Sequence, residues 1–157
     1  MDYQHQKDNF MITTNPERLD LDVIHAYLAR SYWKRGVSKA YVRRSIEHSL
    51  NFGLFDGANQ IGFARVVSDY TDYAYLCDVF ILETYQGQGL GRWLMACVLA
   101  HPDLLQGLGR FTLSTRDAQE FYRQFGFQEI DRPELHMHLR WQRPWFIPEA
   151  EGREEAP

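Results

Sequence analysis

The stretch YQGQGLGRWLM, residues 85–95, sets three glycines on alternate positions, 87, 89 and 91, between two segments of opposite periodicity. Ahead of it, residues 73–82 (YAYLCDVFIL) are short, aromatic and β-branched, as a buried strand is. Behind it, Leu90, Trp93, Leu94, Cys97 and Val98 recur at helical spacing. A strand, a glycine loop and a helix start in that order aim backbone N–H groups and the positive end of a helix dipole at one spot. Phosphate is the ligand that suits such a spot. The bland alternative is a flexible turn, since glycine commonly punctuates elements, but the flanks argue against it.

Two nucleotide fingerprints fail on spacing. The dinucleotide pattern G-x-G-x-x-G meets Arg92 where its last glycine would stand, and the triplet G-K-[ST] of the P-loop does not occur in the chain.

The remaining runs give an order of elements. FMIT (10–13) reads as a short strand. Asp20 then caps a helix whose Ile24, Tyr27, Leu28 and Ser31 share a face, and after a break at Gly36, Ser38 caps a second helix with Val42, Ile46 and Leu50 at repeats of four. FGLF (52–55), IGFARVV (61–67) and residues 73–82, joined by polar turns, predict an antiparallel meander. HPD (101–103) ends the helix that follows the glycine loop, RFTLST (110–115) supplies another strand, and DAQEFYRQFGF (117–127) a last helix. That helix has Asp117 and Glu120 as a capping pair and Gly126 as its close. ELHMHLR (134–140) is the expected closing strand. The fold class is therefore α/β (α+β): one domain with a central mixed, mostly antiparallel sheet flanked by helices. The expected boundaries are a flexible N-terminus over 1–9, the domain over 10–148 and an acidic, disordered tail over 149–157.

The chain resembles the GNAT superfamily of N-acetyltransferases. Gln86, Gly89 and Gly91 match that family's pyrophosphate loop, Q/R-x-x-G-x-G/A, and FYRQFGF places Tyr122 four residues before Gly126 and Phe127, as the family's last helix does. The element order is that of the family as well, and the resemblance spans about residues 10–140. It implies acetyl-CoA as the acetyl donor, no metal, and direct transfer to a primary amine in a ternary complex. The alternative is a noncatalytic acyl-CoA-binding or regulatory domain of the same fold, for which Tyr122 would have no use.

The resemblance also assigns roles. Gln86, Gly87, Gln88, Gly89, Leu90, Gly91 and Arg92 would hold the pyrophosphate, with Arg92 either on phosphate or in solvent. Val79, Phe80 and Ile81 would pair with the pantetheine arm like an added strand and polarise the thioester carbonyl. Ser114 and Asp117 would reach the cofactor, Asp117 doubling as a helix cap. Tyr122 is the expected general acid. With a tyrosine at ~10 and a thiol at ~8.5, full transfer is uphill by roughly 2 kcal/mol, so a strengthening hydrogen bond is its main contribution. The alternative for Tyr122 is a core aromatic, on a face shared with Ala118, Phe121 and Phe125.

Asp78 is the expected base. A structural ion pair with an arginine is its alternative, and Glu47, Glu83 or a water chain are rivals. Strand alternation puts Tyr75, Cys77 and Val79 on one face and Leu76, Asp78 and Phe80 on the other, so both sets meet the substrate only if a bulge intervenes. Trp33 and Tyr75 are candidate substrate-binding aromatics, Trp33 with Tyr32 either framing the acceptor or closing the core, and Trp33, Glu47, Asp69, Asp72 and Asp78 favour a cationic acceptor, a small-molecule or peptide amine.

Composition sets limits. Net charge is −4, of which the tail's four glutamates and one arginine supply −3, so the remainder is nearly neutral and nucleic acid is not an expected partner. Cys77 and Cys97 fall within apolar patterns and read as buried thiols rather than a bridge. The first ten residues hold no apolar signal core, and no apolar run approaches a membrane span of roughly 18 residues, so a cytoplasmic protein is expected. SYWK (31–34) fits S-x-x-K without the companion motifs of that chemistry. His136 and His138 are set aside as a metal pair for want of a third ligand. The aromatic RWQRPWFIP (140–148) packs either on the domain or on a second copy, as in a homodimer.

Overall fold

The computed structural model describes residues 3–141. One six-stranded sheet runs in sequence order: β1 (Gln4–Lys7), β2 (Phe10–Thr13), β3 (Leu50–Asp56), β4 (Asn59–Ser68), β5 (Tyr73–Ile81) and β6 (Arg110–Leu113). The first four neighbour pairs are antiparallel and β5–β6 is parallel. The parallel step needs a crossover, which α3 (Leu90–Leu99) and the single turn of α4 (Pro102–Leu105) provide.

The sheet is covered on both faces. On one, Phe52, Leu54, Ala64, Val66 and Leu76 meet Leu90, Leu94, Met95 and Val98 of α3. On the other, Phe63 and Phe80 meet Ile24 and Leu28 of α1 (Leu21–Arg30) and Val42 of α2 (Lys39–Glu47). Asp20 caps α1 by accepting from the amides of Asp22 and Val23, and Ser38 caps α2 through Tyr41. Those caps start the helices where the sequence predicts.

Four expectations are corrected. Residues 4–7, expected within a flexible N-terminus, form β1, whose polar QHQK gives no apolar alternation to read; Tyr3 beside it is pinned by its hydroxyl to the Cys97 carbonyl at 3.0 Å. Leu50 begins β3 rather than extending α2, because Asn51 caps the helix end by donating to the carbonyls of Ile46 and Ser49. Asp117 does not cap the last helix, α5 (Gln119–Arg123). Thr115 accepts from the Ala118 amide instead, while Asp117 points outward near Arg116. The closing strand is absent at 134–140: Pro133–Leu135 make one 3₁₀ turn, and residues 136–141 pair with no strand among those described. The acidic tail and most of RWQRPWFIP lie outside the described residues.

Candidate active site

The sheet opens at its parallel pair. The β5–β6 ladder runs only from Tyr73↔Arg110 to Leu76↔Leu113, so from Cys77 to Ile81 the edge of β5 that faces β6 has no ladder partner among the described residues. The two strands part and leave a cleft between the second half of β5 and residues 114–117.

At the same point β5 carries a bulge. On β4, Phe63 pairs with Phe80 and Arg65 with Cys77, so one β4 residue stands opposite two on β5, Asp78 and Val79. Asp78 has φ +55, a left-handed conformation unusual for a residue with a side chain. The extra residue reverses the alternation: Leu76 faces α3, whereas Phe80 faces α1 and stacks on Tyr27 with ring centroids 4.0 Å apart. Cys77, Asp78 and Phe80 therefore share the α1 side. This is the bulge on which the double use of the strand depends, and over the same residues the β5 edge toward β6 has no ladder partner among the described residues.

Asp78, expected as a base, sits in different company. It is 3% exposed. Its Oδ1 accepts from Trp33 Nε1 at 3.1 Å, and its Oδ2 from Lys34 Nζ and Arg65 Nε, both at 2.7 Å. Burial alone would raise its carboxyl, but Arg65 and Lys34 outweigh burial and hold it below the ordinary aspartate value. Burial pulls Lys34 below the ordinary lysine value against the attraction of Asp78. Arg65 also donates from Nη1 to Ser49 Oγ at 2.9 Å. A carboxylate engaged at both oxygens and held acidic is a poor proton acceptor, so the geometry gives Asp78 the ion-pairing role. Burial pushes the adjacent Cys77 thiol up to about 11, which keeps it neutral.

Loop 31–36 spans the cleft. Trp33 and Lys34 hold it to the bulge. Tyr32 reaches the opposite bank, its hydroxyl accepting from the Arg116 amide at 3.1 Å and its ring covered by the Arg116 guanidinium at 3.9 Å. Tyr122, on α5, packs edge-on against Phe121 and Phe127, and burial together with the nearby Tyr32 pushes its hydroxyl up to about 12. Trp33 is half-buried over the bulge, and Tyr75 shares the Cys77 side of β5 one pleat farther from the glycine loop.

At the cleft's other end lies the glycine loop. Gly87 and Gly89 have φ of +78 and +79, and a Cβ built on either would meet nothing within 4 Å. These residues are glycine for backbone conformation, and they line open space. Gly89 is the N-cap of α3, and the Trp93 amide bonds back to its carbonyl at 3.1 Å. The amides of Leu90, Gly91 and Arg92 ahead of it belong to the first turn, where helices leave N–H groups for an outside acceptor. Gln86 folds inward and donates to the Ile81 carbonyl at 2.8 Å, tying the loop to the end of β5. Arg92 donates to the side chain of Gln124, the residue that caps the end of α5. Such a cradle of amides fits a phosphorylated donor. Ser114 and Asp117 are exposed just past β6, across the cleft from the loop.

Lys34, Arg65, Ser49 and Arg116 are the members the motif-based reading missed. Arg65 left a signal, a lone cation inside the apolar run IGFARVV; Lys34 left none, because its partner is 44 residues away. Among the described residues, no cluster of three or more histidine, cysteine or acidic side chains is arranged to hold a metal ion.

Comparison with known proteins agrees with this geometry. The family model described as the acetyltransferase (GNAT) domain matches residues 47–129, from the end of α2 to past α5. A crystal structure from Xanthomonas campestris pv. campestris, of a protein assigned as a GNAT-family acetyltransferase, is 42% identical and superposes with a TM-score of 0.82, over 84% of this chain and 93% of that one. A Gibberella zeae protein assigned as an acetyltransferase is 26% identical over 139 residues, 74% of this chain and 77% of its own. The fold is shared with a Clostridium acetobutylicum protein solved with acetyl-CoA, at 13% identity and a TM-score of 0.59, over 83% of this chain and 99% of that one. With its parted strands, bulge and glycine cradle, the chain belongs to the GNAT family of acetyltransferases.

Proposed function

We propose that this protein transfers an acetyl group from acetyl-CoA to a primary amine, directly and within a ternary complex. The observation that carries the proposal is the cleft itself: an unpaired edge of β5 that ends, at Ile81, beside a cradle of free amides and has a tyrosine-bearing helix on the opposite bank. The donor supplies an activated acyl group and a thiolate leaving group.

The amides of residues 87–92 and the α3 dipole would bind its pyrophosphate, and Val79, Phe80 and Ile81 would take its pantetheine arm as an added strand. The N–H groups of this β5 edge would then face the thioester carbonyl and strengthen their hydrogen bonds as its oxygen gains charge. Ser114 and Asp117 stand where they would meet the donor from the other bank. Tyr122 would hydrogen-bond the departing sulfur. With its hydroxyl pushed up to about 12, it works by that bond rather than by losing its proton to the thiolate.

Asp78 would act at one remove, fixing Lys34, Arg65 and Trp33 at the acceptor wall. Glu83 is likewise engaged, in a paired contact with Arg30 (2.5 and 2.9 Å), and Asp69 caps its own turn. Glu47 and water remain to take the amine's proton. Trp33 and Tyr75 would frame the acceptor. The two unbridged thiols suit a reducing compartment, in keeping with a cytoplasmic protein.

Thermal unfolding with acetyl-CoA, CoA, ATP and NAD tests the donor site. At about 100 times its dissociation constant a ligand of the native state adds ~2.7 kcal/mol, a shift of several degrees. Stabilisation by CoA species alone is the expected result, followed by thiol release when an amine panel is added. Stabilisation with no turnover on any amine would favour a noncatalytic acyl-CoA-binding domain. No stabilisation at saturating acetyl-CoA would overturn the proposal.

A further inference from the structure

The wall that Asp78 holds together is unbalanced in charge. Its one carboxylate meets two cations, Lys34 and Arg65, and among the described residues no other carboxylate forms an ion pair with either. The three side chains are 9, 11 and 1% exposed for Lys34, Arg65 and Asp78, so water screens the excess positive charge poorly. The adjacent Cys77 thiol, kept neutral by burial, does not supply the missing anion.

The cations are also within reach of a ligand. Arg65 Nη2 has no hydrogen-bond partner among the described residues and is not sealed from solvent, and the Lys34 ammonium bonds only to Asp78. Arg65 stands opposite Cys77 in the β4–β5 register, on the sheet face that α1 and α2 cover farther along. Here the helical cover stops short: Val67 and Tyr73 are 41 and 46% exposed, and Tyr75 is half-buried. Trp33 borders this open face from the strap, and Tyr41 of α2 sets its ring 5.7 Å from Lys34 Nζ. The result is an aromatic hollow with a basic end.

The acidic residues that favoured a cationic acceptor in the sequence do not offset that end. Asp78 is engaged by its own cations, Asp69 by the amides of its own turn, and Glu47 and Asp72 are exposed. A second positive charge on the acceptor would meet like charge at the wall, whereas a negative one would complete it. We propose that the acceptor is an amino carboxylate, a short primary amine whose carboxylate docks on Arg65 and Lys34 while its nitrogen faces the bulge of β5. The inference rests on the acetyl transfer proposed above. A carboxylate accepts from guanidinium and ammonium together, and its single charge sets two anions against two cations; a phosphate dianion would overshoot. Burial works against the charge of Lys34, and a second carboxylate beside it would favour that charge. Because Arg65 lies across from the residue just before the bulge, the acceptor's two groups are only a few bonds apart.

Turnover on matched pairs tests this: the protein amino acids and β-alanine, each beside its own amide, with putrescine as a dication. For at least one amino carboxylate, kcat/KM is expected to exceed that of its amide by ~10- to 100-fold, with the difference in KM, and putrescine is expected to be poor. Arg65→Gln and Lys34→Gln each leave one cation facing Asp78. Both are expected to keep the thermal shift given by acetyl-CoA and to bring the ratio near one. Binding is read separately, as the thermal shift given by N-acetylated amino acids and by their amides in the presence of CoA; the carboxylates alone are expected to stabilise. Such stabilisation without turnover on any amine would keep the docking site and overturn the acetyl-transfer reading. Amides or putrescine turned over as well as the carboxylates would leave acetyl transfer standing and overturn this proposal, as would a carboxylate preference that survives both variants. Neither turnover nor stabilisation by any carboxylate would overturn both.

Discussion

Asp78 concentrates the chemistry of the site in one side chain. It is a buried anion between two buried cations, and removing it leaves Lys34 and Arg65 uncompensated. Asp78→Asn is expected to cost about 3–5 kcal/mol, a fall in melting temperature on the order of 10 °C measured by calorimetry. The sign of its pH dependence follows from the lowered carboxyl: the stabilisation is present above the unfolded value of ~3.9 and is lost as pH falls through the lower folded value. Wild type should therefore lose stability below about pH 4 by more than Asp78→Asn does. Tyr122→Phe probes catalysis instead. Turnover should fall by about 10²-fold while the acetyl-CoA-induced thermal shift is kept, and unchanged turnover would remove the tyrosine from the mechanism. The sequence showed both residues but only one environment. The place of Tyr122 in the last helix was readable because its position before Gly126 and Phe127 is local, whereas the ion pairs of Asp78 come from side chains 13 and 44 residues away.

At the scale of elements, α3 carries two functions that different parts of it serve. Its apolar face, Leu90, Leu94, Met95 and Val98, holds the sheet, and its first turn presents amides to the cleft. Gly89→Ala forces a side chain into the left-handed region, with an expected stability loss of about 1–2 kcal/mol and no steric clash. Gly89→Asp adds a negative charge beside the first-turn amides of α3, the donor site proposed above, and should abolish the thermal shift given by acetyl-CoA; a retained shift would place the donor elsewhere. Helix starts were legible because caps and glycines act over three or four residues. Less legible were β1, whose polar residues carry no alternation, and the fate of 134–140, whose alternation is that of a strand although the segment joins none among the described residues. Periodicity records which face a segment buries and is silent about which partner buries it.

On the scale of the whole molecule, β3, β4 and β5 form the rigid middle, with neighbours on both sides and buried residues toward both helical layers. Hydrogen exchange should find their amides slowest, and those of β1, wholly exposed at the rim, among the fastest of the strands. Equal protection of β1 and β4 would contradict that gradient. The bulge adds a consequence for how this architecture can change. Because β5 counts one residue too many, its two halves belong to opposite parities, even positions facing α3 before the kink and α1 after it. Deleting the single codon for Asp78 would restore a regular pleat with Val79 and Phe80 still on the layers they now face, so the extra residue serves the kink and the buried anion rather than the packing of the strand beyond it.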